Sequence, residues 1–219
     1  MNIFVPIKAN SQRVPNKNFR MFGKEPLYKH TLLKLFNHDV WVSTDCSGII
    51  KAIKEDSRLS HVTPYLRRND LCGDEVSVCS LISDWIETYQ IKGIACQLHV
   101  TSPFLTVKTL EKAFKMFEPG YGYDSIFSCD KLQVRMWRNE KYGLCPVNHN
   151  PVDLKQTQDL PPYYAENSLF YFFKVKILQQ VGNRIGVNPW PVETTFPENV
   201  DIDNESDWDF AQKLLEVIK

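Results

Sequence analysis

The sequence has no apolar run that approaches the ~20 residues a membrane-spanning helix requires, so no membrane partner is expected. It has no surplus of either charge: Lys plus Arg and Asp plus Glu number 26 each over 219 residues. A nucleic-acid-binding chain ordinarily carries a basic excess to neutralise phosphates, so a polymeric polyanion is not the expected partner either. None of the six cysteines, Cys46, Cys72, Cys79, Cys96, Cys129 and Cys145, falls in a C-x-x-C spacing, which removes the common zinc and dithiol patterns. Most of them sit in apolar or strand-like surroundings, and reduced core thiols are predicted. The opening MNIFVPIK passes straight into a strand without the three-part pattern of a secretory leader. Together these absences predict a cytoplasmic protein. Low-complexity segments and short repeats are also lacking.

One absence is local. The stretch FVPIKANSQRVPNKNFR, residues 4–20, contains no glycine, yet it carries Lys8, Arg13, Lys17 and Arg20 directly after an apolar strand. Like charges crowd there at a cost unless an anion shares them. With net charge zero over the whole chain, a small anionic ligand is favoured over a polymer. Ser11, Arg13, Lys17 and the backbone N–H groups of a tight turn can together meet a triphosphate. Pro6 and Pro15 stiffen the loop, and Asn18 can hold its turn. The alternative is a solvated basic loop.

Length and pattern fit one α/β domain over residues 1–219. NIFVPIK, DVWVST, HVTPYL, GIACQLHVT and YDSIFSC read as strands. PLYKHTLLKLFN, SGIIKAIKED, SVCSLISDWIETYQ and LTVKTLEKAFKMF, the last capped by Thr106, read as helices. This alternation predicts a mostly parallel sheet flanked by helices on both faces. Ligands in such sheets bind beyond the carboxyl ends of the strands, which gathers the 8–20 loop, Thr44 and Thr101 around one crevice. The pattern breaks over residues 131–162, which are polar and rich in Asn and Pro; we read them as an excursion, a small β-rich arm for dimerisation. NSLFYFFKVKILQQ resumes as a strand passing into a helix. The final helix in DIDNESDWDFAQKLLEVIK is expected to pack through Trp208, Phe210, Ala211, Leu214, Leu215 and Ile218.

Asp201 and Asp203 are spaced i, i+2, so in an extended segment both point to one side. A hard cation such as Mg²⁺ takes one or two carboxylates plus substrate phosphates. Helix capping is the alternative, and it accounts for residues 204–207 without using Asp201. His99, Thr101 and Ser102, at a strand end, can line the crevice, or His99 can be a satisfied structural residue. Asp45 either faces the crevice or caps the next helix, and Arg67 either meets phosphate or joins a surface ion-pair cluster.

Taken in order, IKANSQRVPNKN, VSTD, RRNDLCGD, HVTSPFLT and VDIDNESDWDFAQ resemble the acylneuraminate cytidylyltransferases, over nearly the whole chain. The resemblance implies a nucleotide-diphosphosugar transferase-like fold, a homodimer exchanging an arm, and Mg²⁺-dependent transfer of CMP from CTP to an acidic acceptor with pyrophosphate released. It implies catalytic roles for Arg13, Lys17, Asp201 and Asp203, the two aspartates also holding the metal. Nucleotide contacts fall to Lys8, Ser11, Gln12, Asn18, Arg67, Thr101 and Ser102, and acceptor contacts to His99, Arg135, Glu166 and Asn167. The sequence departs from the family at Lys8 and Gln12, with Arg13 one place on from the usual basic residue. It departs also at His99, where glutamine is usual, and at Ala165, where an arginine would hold a sialic acid's carboxylate. Arg135 or Arg138 can substitute for a second acceptor cation. The acceptor is therefore left open among sialic acid, another ulosonic acid, an amino-bearing one paired with Glu166, and a phosphonate. A glycosyltransferase of related fold, or a nucleotide-binding module without turnover, shares parts of the same pattern.

Overall fold

The computed structural model describes residues 1–9, 11, 13–117 and 121–218. Seven strands form one sheet. Strand β1 (Asn2–Ile7) lies third from one edge, and the short β2 (Met21–Phe22) and β3 (Glu25–Pro26) form a separate hairpin. On one side of β1 come β4 (Asp39–Thr44) and then β5 (Val62–Leu66), both parallel. On the other comes β6 (Ile94–Leu98), also parallel. Beyond it the order continues through β10 (Tyr163–Lys174) and β7 (Ser125–Leu132) to β11 (Pro189–Glu193) at the edge. Strand β10 runs antiparallel to both β6 and β7, and β11 runs parallel to β7.

Alternation along the strands sorts the core into two layers. Ile3, Val5 and Ile7 of β1 join Val40, Val42, Cys96, Leu98, Phe170 and Phe172 on one face. Helices α1 (Leu27–Leu32), α2 (Ser47–Lys54) and α4 (Val107–Lys115) cover that face, through residues such as Leu32, Ile49, Ile53 and Leu110. Phe4, Ala95 and Phe173 point the other way, onto α3 (Val78–Tyr89) and α5 (Val175–Val181). The i, i+4 face of α3 supplies Leu81, Ile82, Trp85 and Ile86, with Ser77 accepting the Ser80 N–H as N-cap. Thr106 caps α4 as its sequence predicts.

A third apolar cluster matters most for the site. Val14 from the first loop and Ile202 from the acidic segment are both fully buried, beside Phe22, Leu27, Phe104 and the Trp208 and Ala211 of α6 (Glu205–Val217). Gly23, at φ +65°, turns the β2–β3 hairpin where a Cβ would lie 2.7 Å from Leu215 Cδ2, so the turn closes directly on α6.

Several expectations need correction. The helix expected over 26–37 ends at Leu32 and tightens into a 3₁₀ turn over Leu33–Leu35, leaving Phe36 exposed. Phe210 and Ile218 are half exposed on α6 instead of packed. Of the cysteines only Cys96 and Cys129 are buried; all six are free thiols. Strand β11 was not anticipated, because PWPVE carries two prolines; an edge strand tolerates them since one of its sides needs no ladder donor. The excursion begins later than expected. β7 and β10 pair out to Leu132 and Tyr163, and the hairpin of β8 (Trp137–Glu140) and β9 (Gly143–Pro146) lies between them.

Candidate active site

The loop after β1 is pinned at several points. The Ala9 N–H donates to Asp45 Oδ1 at 2.7 Å, and Asn18 Nδ2 donates to the Lys8 carbonyl at 3.0 Å. Asn16 turns the chain at φ +54°, and the Lys17 N–H returns to the Val14 carbonyl at 3.1 Å. Asp45 thus fixes the loop; it does not cap α2, whose N-cap is Cys46 without a side-chain bond. Gln12 lies outside the described residues.

The chain's far end meets this loop. The Ile202 N–H donates to the Thr101 carbonyl at 3.0 Å, and Ser102 Oγ donates to Asp201 Oδ1 at 3.0 Å. These bonds, with the burial of Ile202, hold residues 201–203 against the exit of β6. Arg13 then grips Asp203 with both terminal nitrogens, at 3.1 Å and 3.0 Å. The Lys17 ammonium is buried, donates to the Ile202 carbonyl and stands 3.9 Å from Asp203 Oδ1. Burial lowers its pKa, while the charges of Asp201 and Asp203 oppose that shift. One step further out, Arg20 pairs with Glu205 at 2.7 Å and lies over the Trp208 ring. Helix capping is satisfied independently: Asn204 and Asp207 form a reciprocal capping box. Neither Asp201 nor Asp203 is consumed by it.

This meeting point borders a cleft of about 350 Å³, a size typical of small-molecule sites, roughly 300–1,000 Å³. Lys8, Ser11, Arg13, Lys17 and Asn18 line one part of it. Val76, Val78 and Leu81 give an apolar wall, and His99 and Thr101 close the β6 side. Arg67 is buried at the floor, its Nε donating to Ser43 Oγ at 3.1 Å and its Nη2 to the Ser43 carbonyl at 3.0 Å. Lys8 reaches across to Asp74 at 2.9 Å.

Two half-buried carboxylates, neither of them lining the cleft but Asp203 reached by its Arg13 and Lys17, fit an ion that draws most of its oxygen shell from phosphate and water. They do not make a cage; among the described residues no group of three or more metal-ligating side chains converges.

The expected acceptor residues do not all gather here. Arg135 is exposed in the excursion and donates to the Lys155 carbonyl at 2.6 Å. The Asn167 amide nitrogen donates to Asp130 at 3.2 Å and Thr194 at 2.8 Å, while its Oδ1 has no partner among the described residues. Its neighbours form an irregularity in β10, where Ser168 takes φ +59° and the register shifts between Glu166 and Tyr171. Glu166 accepts from the Tyr171 hydroxyl at 2.9 Å. Ser102 faces Asp201 and is not part of the cleft wall. Gln97 and Arg184 were not among the expected site residues, and Asp74 figured only within the stretch RRNDLCGD. Gln97 alone carried a signal, a polar residue inside the apolar strand IACQL.

Burial pushes the His99 imidazole down to about 4, with the charges of Arg184 and Lys17 acting in the same direction. His99 is therefore neutral near pH 7. Its ordinary value is 6.5, so the folded protein binds its proton less readily than the unfolded chain does. The stabilisation is complete above about pH 6.5 and is lost as pH falls towards 4. His99→Gln should lose less of its urea midpoint than the unaltered protein between pH values of about 7 and 4.5. Equal losses in the two would contradict this assignment.

Comparison with known proteins bears on the family and the fold. The cytidylyltransferase family model matches residues 3–218. The N-acylneuraminate cytidylyltransferase A of Danio rerio is 30% identical over 218 residues, which make up 95% of this chain and 49% of that protein. The chain thus spans about half the length of that relative. The CMP-N,N'-diacetyllegionaminic acid synthase of Legionella pneumophila is 25% identical over 97% of this chain and 95% of its own. The structure of CMP:2-keto-3-deoxy-manno-octonic acid synthetase complexed with CTP superposes with a TM-score of 0.71 at 14% identity, covering 100% of this chain and 99% of that one. The fold is accordingly the nucleotide-diphosphosugar transferase-like one, and the chain belongs to the cytidylyltransferase family.

Proposed function

We propose that this protein transfers CMP from CTP to the hydroxyl of an acidic sugar of the ulosonic class, releasing pyrophosphate. The observation that carries the reading is the 3.0 Å contact between Arg13 and Asp203, residues 190 positions apart, at the mouth of a cleft of nucleotide size. In the proposed reaction the acceptor oxygen bonds to the α-phosphorus, the bond from that phosphorus to the bridging oxygen breaks, and the hydroxyl proton leaves to solvent. Such transfers depend on positioning and charge. Arg13, Lys17 and the loop amides would neutralise the departing pyrophosphate, with Lys8 nearer the α-phosphate. Arg67 and the apolar wall would seat the nucleoside. Asp201 and Asp203 would hold Mg²⁺, which supplies Lewis-acid polarisation of the phosphate when bound. His99, with a pKa of about 4, is too weak a base to take the proton efficiently near pH 7.

The test is a screen of CTP and Mg²⁺ with N-acetylneuraminic acid, N,N'-diacetyllegionaminic acid and 2-keto-3-deoxy-manno-octonic acid, read as pyrophosphate. Turnover of at least one acid is expected; hydrolysis of a nucleotide-sugar donor in place of CTP use would mark a glycosyltransferase. Dimerisation through the excursion is part of the same reading, supported by the exposed Trp137, Leu144 and Val147 of the hairpin region. Light scattering on the same preparation should give twice the chain mass, and a monomer would refute that part.

A further inference from the structure

We infer that Arg184, on the loop after α5, receives the carboxylate of the acidic acceptor, with the side-chain amide of Gln97 as its neighbouring donor. The inference rests on the cytidylyltransferase reading above, and it assigns a residue outside the segments that carry the family resemblance.

Arg184 is half-buried and stacks on the Tyr171 ring at 3.7 Å from its centroid. Its Nη1 donates to Gln97 Oε1 at 2.6 Å. Among the described residues no ion pair includes it. Three of the four cations already placed in the cleft differ in this respect: Arg13 and Lys17 face Asp203, and Lys8 faces Asp74. Arg67 also lacks an ion pair, but its guanidinium is already taken up by the Ser43 hydroxyl and carbonyl. Arg184 has only neutral company.

Gln97 sharpens the point. It is fully buried, and because its oxygen faces the guanidinium, its amide orientation is fixed by that bond. Its Nε2 is then left without any partner. A buried donor without an acceptor is costly. Here such a donor adjoins a guanidinium with no carboxylate. Two donor groups side by side suit an anion with two oxygens, and the planar fork of arginine matches a carboxylate in particular.

The position is also right. Gln97 and Tyr171 are register partners across β6 and β10. His99 follows two residues after Gln97, its N–H continuing the ladder to the Leu169 carbonyl at 3.2 Å. Side chains two apart on a strand share a face, so His99, which lines the cleft, and Gln97 lie on the same side of the sheet. Arg184 and Lys17 both act electrostatically on His99. Arg184 and Gln97 do not themselves line the cleft; the guanidinium lies beyond His99, on the β10 side of the same sheet face.

The experiment uses the full-length protein, CTP, Mg²⁺, the three acids named above and the C1 carboxamide of whichever acid turns over. Arg184→Met should raise KM for that acid by about 30-fold while leaving KM for CTP within about twofold. Arg184→Lys should recover part of the loss, since it keeps charge without the fork. The unaltered protein should prefer acid over carboxamide by roughly 100-fold in kcat/KM, and Arg184→Met by less than about fivefold. A purely structural role would change activity towards acid and carboxamide alike and would overturn the inference. Turnover of an acid with an unchanged KM in Arg184→Met would overturn it too, while leaving the cytidylyltransferase reading intact. Absence of turnover by the unaltered protein with all three acids would overturn both.

Discussion

Asp203→Asn should lower CTP-dependent pyrophosphate release by about 10²–10³-fold, the range seen when one preorganised charge-stabilising group is removed. Its effect on stability should be small. Arg13 has 69% of its side chain exposed and Asp203 47%, and exposed ion pairs contribute only ~0–1 kcal/mol. The combination is diagnostic: a carboxylate that merely tethers a surface arginine would lower neither quantity much, and one that holds the fold would lower both. Asp201→Asn should behave alike in activity, because the amide oxygen can still accept from Ser102 Oγ. Initial-rate kinetics and a urea melt on the same samples give both numbers. Near-normal turnover in either variant would remove that aspartate from the proposed machinery.

Ile202→Ala should act through packing. The side chain is fully buried among Val14, Phe104 and Trp208, and truncating such a residue typically costs about 2–5 kcal/mol. For a chain of this size that corresponds to a fall in Tm of roughly 4–20 °C. The larger consequence is for the site. Ile202 sits between the two aspartates, and its carbonyl accepts from Lys17. A cavity there lets residues 201–203 and the Val14 loop relax separately. CTP affinity, measured calorimetrically well below the lowered Tm, should weaken about tenfold or more, as misplacement of groups by an ångström does. Retention of full affinity would mean that the two segments are held by their polar contacts alone.

How much of this could be read beforehand depends on the kind of signal. The strand–helix alternation was legible because each element repeats its apolar residues at its own period. The direction of β10 was not, since NSLFYFF looks the same whether its neighbours run parallel or antiparallel. Strand β11 was hidden by its prolines. At the site, Lys17, Arg13, Asp201 and Asp203 were legible because isolated charge beside apolar sequence needs a reason, and the resemblance supplied one. Asn167 and Arg135 were placed by the resemblance; the fold engages the amide nitrogen of the first with Asp130 and Thr194 and leaves the second in the excursion. Arg184 had no local signal. Its meaning depends on Gln97, 87 residues away, and only the packed sheet brings the two together.

The apolar knot that joins Val14 to Ile202 sets an order of events during synthesis. The basic loop is made well before its acidic counterpart, since Asp203 follows Arg13 by 190 positions. Closing a span of this length carries an entropic cost that rises only slowly with chain length, so distance is no bar once the counterpart emerges. Until then the loop has half of an anion site, organised only by Asp45 and by its own internal bonds. The proposed anion site is thus complete only when two segments 190 positions apart in the chain interlock.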